Sequence, residues 1–459
     1  MKTFFARLVA PAFIALPLVA AGLAPAALAA DDPALVARGA YLATAADCVA
    51  CHTVPGGQRF TGGRAFALPF GTLYSGNITP DRETGIGDWT DDEFVRAVHE
   101  GVGKGGEHLY PAFPYATFTA MSREDVLAIK AYLFSLPAVH APAKPNQIAF
   151  PFNMRFGMMA WNIFYNPDKR FTPDPAKSAE WNRGNYLTNA LGHCAECHTP
   201  RDILFGLQQS RSFAGTTLEG WKAYNITPDA DTGLDHWSDE ALASFLSTGH
   251  ADGHGVASGP MAEVIDLSLR HLTPSDIHAM VTYLKSLPPQ PGGVGPKVDP
   301  DPPTLVQASY GPGPLASGAP DLGRRIFEGS CASCHSWDGA GLQTPYAGLR
   351  GDRSVNDPDA NNVIQVVLQG ANLHTPAGLV TMPSFANAYT DTEIAAVADY
   401  VVQRFGGATA RVTPADVARL RAGDQPPPWL PFVLPAIVAG LLVFVLAVIL
   451  VVYRPRRTV

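Results

Sequence analysis

The sequence predicts a mainly α chain: three small tandem domains followed by one C-terminal transmembrane helix. Three observations carry that prediction. One five-residue motif recurs at wide spacing, helical apolar patterns flank each copy, and the chain ends in an uncharged apolar run. The 459 residues leave room for two to four domains, at roughly 100–200 residues each. Hydrophobic residues make up 47% and charged residues only 16%, with 41 prolines and 43 glycines, which favours compact, loop-rich units over coiled coil or a disordered acidic tail. The formal net charge is −8. No Lys/Arg run is present to neutralise phosphates, so nucleic-acid binding is excluded.

The two ends predict the compartment. Residues 1–29 read as a signal peptide: Lys2 and Arg7 form a positive start, an apolar run covers 8–23, and Ala27-Leu28-Ala29 supplies the cleavage pattern. Pro11, Pro17 and Pro25 argue against a first transmembrane helix. At the other end, residues 429–453 read as a transmembrane anchor entered at Trp429, with no charged residue from Leu430 to Tyr453. At about 1.5 Å rise per residue it exceeds the ~30 Å hydrocarbon core. Arg454, Arg456 and Arg457 then place the 454–459 tail in the cytoplasm. The expected localisation is the bacterial inner membrane, with the body on its periplasmic side.

All six cysteines fall in C-x-x-C-H motifs: Cys48-Val-Ala-Cys51-His52, Cys194-Ala-Glu-Cys197-His198 and Cys331-Ala-Ser-Cys334-His335. This is the attachment signal for covalent haem c. Two thiols three positions apart on one helical turn reach the two haem vinyls, and the next imidazole lies under the iron. No cysteine is left over for a disulfide. Zinc ribbons and redox dithiols also use C-x-x-C, yet neither explains a histidine after all three pairs. Three haems are expected, with His52, His198 and His335 as proximal ligands.

Each motif has its own unit. Arg38-Gly-Ala-Tyr41-Leu42, Arg183-Gly-Asn-Tyr186-Leu187 and Gly323-Arg-Arg-Ile-Phe327 predict the first helices. Ser122, Thr273 and Thr390, each followed by acidic residues, predict the N-caps of the closing helices. The first two units share a repeat, Asn77-Ile-Thr-Pro-Asp81 returning as Asn225-Ile-Thr-Pro-Asp229. The following Pro and the duplication make it a structural turn rather than a glycosylation sequon. The expected organisation is 30–140 for the first domain, 141–175 for an interdomain segment and 176–290 for the second domain. A Pro/Gly linker over 291–308, the third domain over 309–410 and a linker over 411–428 complete it. The apolar residues of the 141–175 segment, Met158 to Trp161 among them, are expected to pack domains or subunits together.

A methionine as sixth ligand raises the haem potential and closes the iron to substrates. Met382, in Thr381-Met-Pro-Ser-Phe385, and Met261, in Gly259-Pro-Met261-Ala, lie between motif and closing helix, as a distal ligand should. Core packing is the alternative for both. Shifting Met261 back by the repeat offset lands on Phe113, which cannot ligate iron. Met121 is the nearest substitute, with a hydrophobic staple on the Ser122 cap as its competing role. His108, His99 or an open iron are the remaining options there.

With these motifs, Leu109-Tyr-Pro-Ala-Phe-Pro-Tyr115 and the tail helix, the sequence resembles the triheme cytochrome c subunits of bacterial membrane-bound dehydrogenases acting on alcohols, aldehydes, gluconate or fructose. The resemblance implies three tandem cytochrome c-type domains, a separate dehydrogenase catalytic subunit and ubiquinone as acceptor. Phe113 departs from members with Met at that place. The Phe150-Pro-Phe-Asn-Met-Arg…Trp161-Asn segment is similar to cytochromes serving molybdenum-containing aldehyde dehydrogenases that also have a small iron–sulfur subunit.

The expected function is therefore an electron-transfer subunit, itself without a catalytic residue. No dinucleotide fingerprint after a strand and no nucleophile elbow points to a substrate-oxidising domain. The alternatives are the cytochrome of a quinoprotein alcohol or flavin-dependent sugar dehydrogenase, a donor to a terminal oxidase, and a haem peroxidase with an open first iron.

Overall fold

The computed structural model describes residues 32–297, 321–407 and 411–423, with isolated residues between 432 and 446. The signal peptide expected over 1–29 lies outside the described residues, as does most of the 429–453 segment.

In the first unit, Asp32 accepts the Ala34 N–H and Pro33 opens helix α1 (Pro33–Ala45), which leads into the short α2 (Cys48–Cys51). A hairpin of β1 (Ala65–Leu68) and β2 (Gly71–Tyr74) follows. Helix α3 (Asp91–Glu100) starts on a Thr90–Glu93 capping box and stops at Gly101, whose φ of 65° suits glycine. A single turn, α4 (Tyr115–Phe118), precedes α5 (Arg123–Ser135), which Ser122 caps through the Asp125 N–H. The connecting segment adds β3 (Gln147–Ile148) to the β2 edge and forms α6 (Gly157–Tyr165).

The second unit repeats the plan. Helix α7 (Ala179–Tyr186) runs through a π-helical turn, Leu187–Leu191, into α8 (Ala195–His198). Hairpin β4 (Thr216–Leu218)–β5 (Trp221–Ala223), helix α9 (Asp239–Thr248), hairpin β6 (His250–Ala251)–β7 (Gly255–Val256), α10 (Gly259–Leu267) and α11 (Pro274–Lys285) follow. In the third unit, α12 (Asp321–Ile326) passes through the π-helical turn Phe327–Cys331 into α13 (Ala332–His335). Helix α14 (Asn361–Gln369), hairpin β8 (Ala371–Thr375)–β9 (Gly378–Met382), α15 (Asp391–Phe405) and α16 (Pro414–Arg421) complete it. Thr273 and Thr390 cap α11 and α15 as the sequence predicts.

One packing device recurs in all three units. The first helix crosses the closing helix at a glycine, where a Cβ on Gly39, Gly184 or Gly323 would lie 1.8, 1.8 or 2.0 Å from the carbonyl oxygen of Ala128, Ala279 or Ala396. Helix backbones therefore touch at that point, and Tyr132, Tyr283 and Tyr400 pack one turn further along. The repeated Asn-Ile-Thr-Pro-Asp is a buried turn. Asn77 accepts from both the Thr79 N–H and hydroxyl and donates to Val139 O, and Asn225 does the same with Thr227 and Gln290 O.

Two expectations are corrected. Helices dominate, yet among the described residues they are joined by one three-stranded and three two-stranded sheets. Strands of two to five residues are too short for an alternation to show in sequence. The predicted C-terminal transmembrane helix is not supported: no described helix is long and apolar enough to cross a membrane. The inner-membrane localisation with a cytoplasmic C-terminus rested on that helix and falls with it.

Candidate functional site

The three motifs fold alike. Each ends one helical turn with its histidine, and in each the imidazole Nδ1 lies 2.7 Å from a backbone carbonyl: His52 from Gly76, His198 from Tyr224, His335 from Ala347. Donation from Nδ1–H fixes the tautomer and leaves the Nε2 lone pair for a metal. Burial lowers the pKa of all three imidazoles, favouring the neutral, ligating form. All six cysteines are free thiols. Burial pushes Cys48, Cys51 and Cys194 up to about 12 and Cys197 and Cys331 up to about 11, so these sulfurs stay protonated at neutral pH.

Buried, protonated thiols are poor ligands for a soft metal ion, which binds the thiolate. Among the described residues no group of three or more His, Cys, Asp and Glu side chains could hold a metal ion, so the motifs do not combine into a zinc centre. Two unpaired thiols per motif and an oriented, neutral imidazole are what covalently held haem c requires, and the residues present fit it.

The methionines take three different settings. Met261 opens α10 directly after the β6–β7 hairpin and is half-buried. Met382 ends β9, also half-buried. Met121 is buried at 2% exposure against the cap residue Ser122, the place Leu272 holds beside Thr273 in the second unit. Phe113 follows the Val102–His108 bridge as Met261 follows β6–β7, and packs on Phe118. His99 lies in the last turn of α3, held at about 4 by burial and by the Arg170 charge, while His108 sits in that bridge.

The first two sites face one another. Glu263, two residues beyond Met261, forms a bidentate ion pair with Arg64, and Arg64 also donates to Ala50 O inside the first motif (2.7 Å). Reciprocally, Thr117 of α4 donates to Glu196 inside the second motif (2.7 Å), and Phe118 packs on His193 with ring centroids 5.6 Å apart. The distal segment of each unit thus grips the attachment motif of the other. A second reciprocal pair locks the helices: Tyr41 donates to Asp276 and Tyr186 to Asp125, both at 2.5 Å, while Arg183 and Arg38 pair with the same carboxylates from within their own units. Burial pushes the Asp276 carboxyl up, but the bonds from Arg183 and Tyr41 outweigh it and hold the group below the ordinary range.

The third unit docks on the second through polar contacts. Lys222 bridges Asp357 and Asp359, Asn362 exchanges two hydrogen bonds with the Lys222 backbone, and His374 sits on Asp266. The cysteines and histidines of the motifs were readable in sequence, but Arg64, Glu263 and Thr117 were not, because their partners come from another unit. The only local signal was the repetition of Tyr and Asp at 41/186 and 125/276.

Helix α6 buries none of its side chains. It spans the first two units, with Asn162 bonded to Tyr115 and to Glu100 O and Trp161 to Leu204 O. Met159, Ile163 and Phe164 remain exposed, as do Ile203 and Leu204.

Comparison with known proteins gives the family. The family profile "Cytochrome c" matches residues 36–137 and 320–404. The gluconate 2-dehydrogenase cytochrome c subunit of Pantoea cypripedii is 40% identical over 427 residues, covering 89% of this chain and 95% of that protein. The fructose dehydrogenase cytochrome subunit of Gluconobacter japonicus is 37% identical over 408 residues, 86% of this chain and 84% of that one. A nicotinate dehydrogenase component from Pseudomonas putida is 40% identical over 377 residues, which cover 81% of this chain but only 30% of that longer protein.

Proposed function

The chain belongs to the family of cytochrome c subunits of bacterial dehydrogenases, and on that premise we propose that it carries three covalent haem c groups and relays electrons from a separate catalytic subunit to ubiquinone. The observation that carries the reading is the threefold recurrence of one geometry: paired thiols followed by an imidazole whose Nδ1 faces a backbone carbonyl. Bound there, haem supplies one-electron Fe(III)/Fe(II) chemistry. The chain's own residues hold it covalently, orient the proximal imidazole and, through Met261 and Met382, close two of the irons to substrate. Met121 is the candidate ligand for the first. The three haem domains are assigned to 30–140, 176–290 and 309–410.

The partner we infer is an aldehyde dehydrogenase with molybdenum and iron–sulfur subunits, a choice supported by the 150–162 segment. The names of the gluconate, fructose and alcohol dehydrogenase relatives support a second reading, the cytochrome subunit of a sugar or alcohol dehydrogenase. The exposed apolar face of α6 suits a protein surface better than water. Affinity purification of the tagged full chain from its native host, with cofactor analysis of the largest copurifying subunit, tests the proposal. A molybdenum subunit with an iron–sulfur partner is expected. A flavoprotein or quinoprotein moves the assignment to sugars or alcohols, and a haem–copper subunit overturns it.

A further inference from the structure

A charged side chain of the third unit reaches the proximal side of the second unit's site. The Arg353 guanidinium carbon lies 4.9 Å from the centroid of the Tyr224 ring. The carbonyl of that tyrosine receives Nδ1–H of His198, the proximal histidine, at 2.7 Å. The Arg353 charge is also felt at His254, whose pKa is lowered by burial and by that charge and which stacks on Trp237 with ring centroids 3.9 Å apart. Burial works against its charge.

Arg353 is half-buried; arginine has five N–H donors, and a guanidinium partly withdrawn from water favours pairing with an anion. Among the described residues Arg353 makes one hydrogen bond, from Nη2 to Thr232 O at 2.7 Å. The two nearby carboxylates are engaged elsewhere. Asp357 is held by Lys222 and by the Tyr224 hydroxyl, and Asp352 by the Val256 and Ser354 N–H groups. A permanently charged, nearly unbonded fork beside a proximal histidine calls for a planar anion from the group that the histidine holds.

We propose that Arg353 binds a propionate carboxylate of the haem attached through Cys194, Cys197 and His198, so that the third unit completes the haem site of the second. The inference rests on the assignment of haem to that motif. A fixed positive charge there favours the reduced iron, so docking of the third unit raises the potential of the second haem. Arg353 is a positioning and potential-setting residue; it is not a ligand to iron.

Spectroelectrochemical titration of the full-length holoprotein tests it, with Arg353→Gln compared against Arg353→Lys and against Asn362→Ala. The last variant removes two docking hydrogen bonds and no charge. In Arg353→Gln one of the three midpoint potentials falls while two stay put, and the propionate bending band in the resonance Raman spectrum of that haem shifts. Arg353→Lys restores part of the potential, and Asn362→Ala leaves it unchanged. Three unmoved potentials, or the same fall in Asn362→Ala, overturn the proposal. Mass analysis of the tryptic peptide carrying Cys194 and Cys197 separates the two levels: a peptide without a haem adduct overturns the haem assignment and this inference together.

Discussion

At the scale of single residues, the site divides into a part written locally and a part written across the fold. The thiols and imidazoles proposed to hold haem stand within five consecutive residues, so the sequence alone groups them, and the structure adds the carbonyl each Nδ1 faces. The distal side was half legible. The repeat places Met261 and Phe113 at matching positions, one after the β6–β7 hairpin and the other after the Val102–His108 bridge, and an aromatic ring cannot ligate the iron proposed for the first unit. Substitution separates these cases. Met261→Leu and Met382→Leu each turn one of three ferric haems high-spin, read from the visible and electron paramagnetic resonance spectra, with little loss of stability because Leu and Met have similar volume. Met121→Leu does the same if Met121 is bound to the first iron. Three unchanged low-spin signals instead assign Met121 to the staple role that Leu272 plays in the second unit. Arg64, Glu263 and Arg353 had no local signature, since the partners that give each its role lie in another unit and only packing brings them together.

At the scale of elements, the helices announced themselves through their caps and apolar periodicity, while the feature that fixes their crossing was a single atom type. Arg-Gly-x-Tyr reads as an ordinary first helix, and the glycine there lowers helix propensity with no evident local gain. The gain is tertiary. At Gly39, Gly184 and Gly323 the helices approach until a Cβ would sit about 2 Å from a backbone oxygen, and a backbone carbonyl has no rotamer with which to retreat. Gly184→Ala must therefore spread α7 from α11, at a cost of about 1–3 kcal/mol or more. Because α7 leads into the second motif, the same change should loosen that haem site. The check is thermal unfolding of the holoprotein together with the low-spin signals: a lowered Tm with one perturbed haem is expected, and an unchanged Tm means the crossing is more compliant than the backbone contact implies. The short hairpins escaped the sequence because two to five paired residues leave too short a period to detect.

At the scale of the molecule, the three units are not equal neighbours. The first two share one continuous apolar core that runs from Leu42 and Phe118 through Tyr186 to Leu246 and Ile277, and they exchange tyrosine-to-aspartate bonds in both directions. The third has a separate core around Ile364, Ile394 and Val402. It joins the others chiefly through Lys222 with Asp357 and Asp359, Asn362, Gln365 and the Asp266–His374 pair, with Leu373 and Tyr346 as its apolar insertions. Polar interfaces between parts with their own cores transmit little unfolding free energy, so cooperativity should break at that boundary. Calorimetry of the full holoprotein is expected to show two transitions. The smaller, earlier one belongs to the third unit, and Asp357→Asn, which deprives Lys222 of a nearly buried partner, lowers that transition alone. One sharp transition that moves as a whole in Asp357→Asn would mean that docking binds all three units into a single cooperative body. The reciprocal grip between the first two motifs makes a different demand, because each distal segment leans on the other unit's attachment loop. Neither of those two sites can open without disturbing its neighbour, whereas the third can shift on its polar seat. That division suits a relay in which two centres are held as a fixed pair and the third is joined to them by contacts that charge can tune.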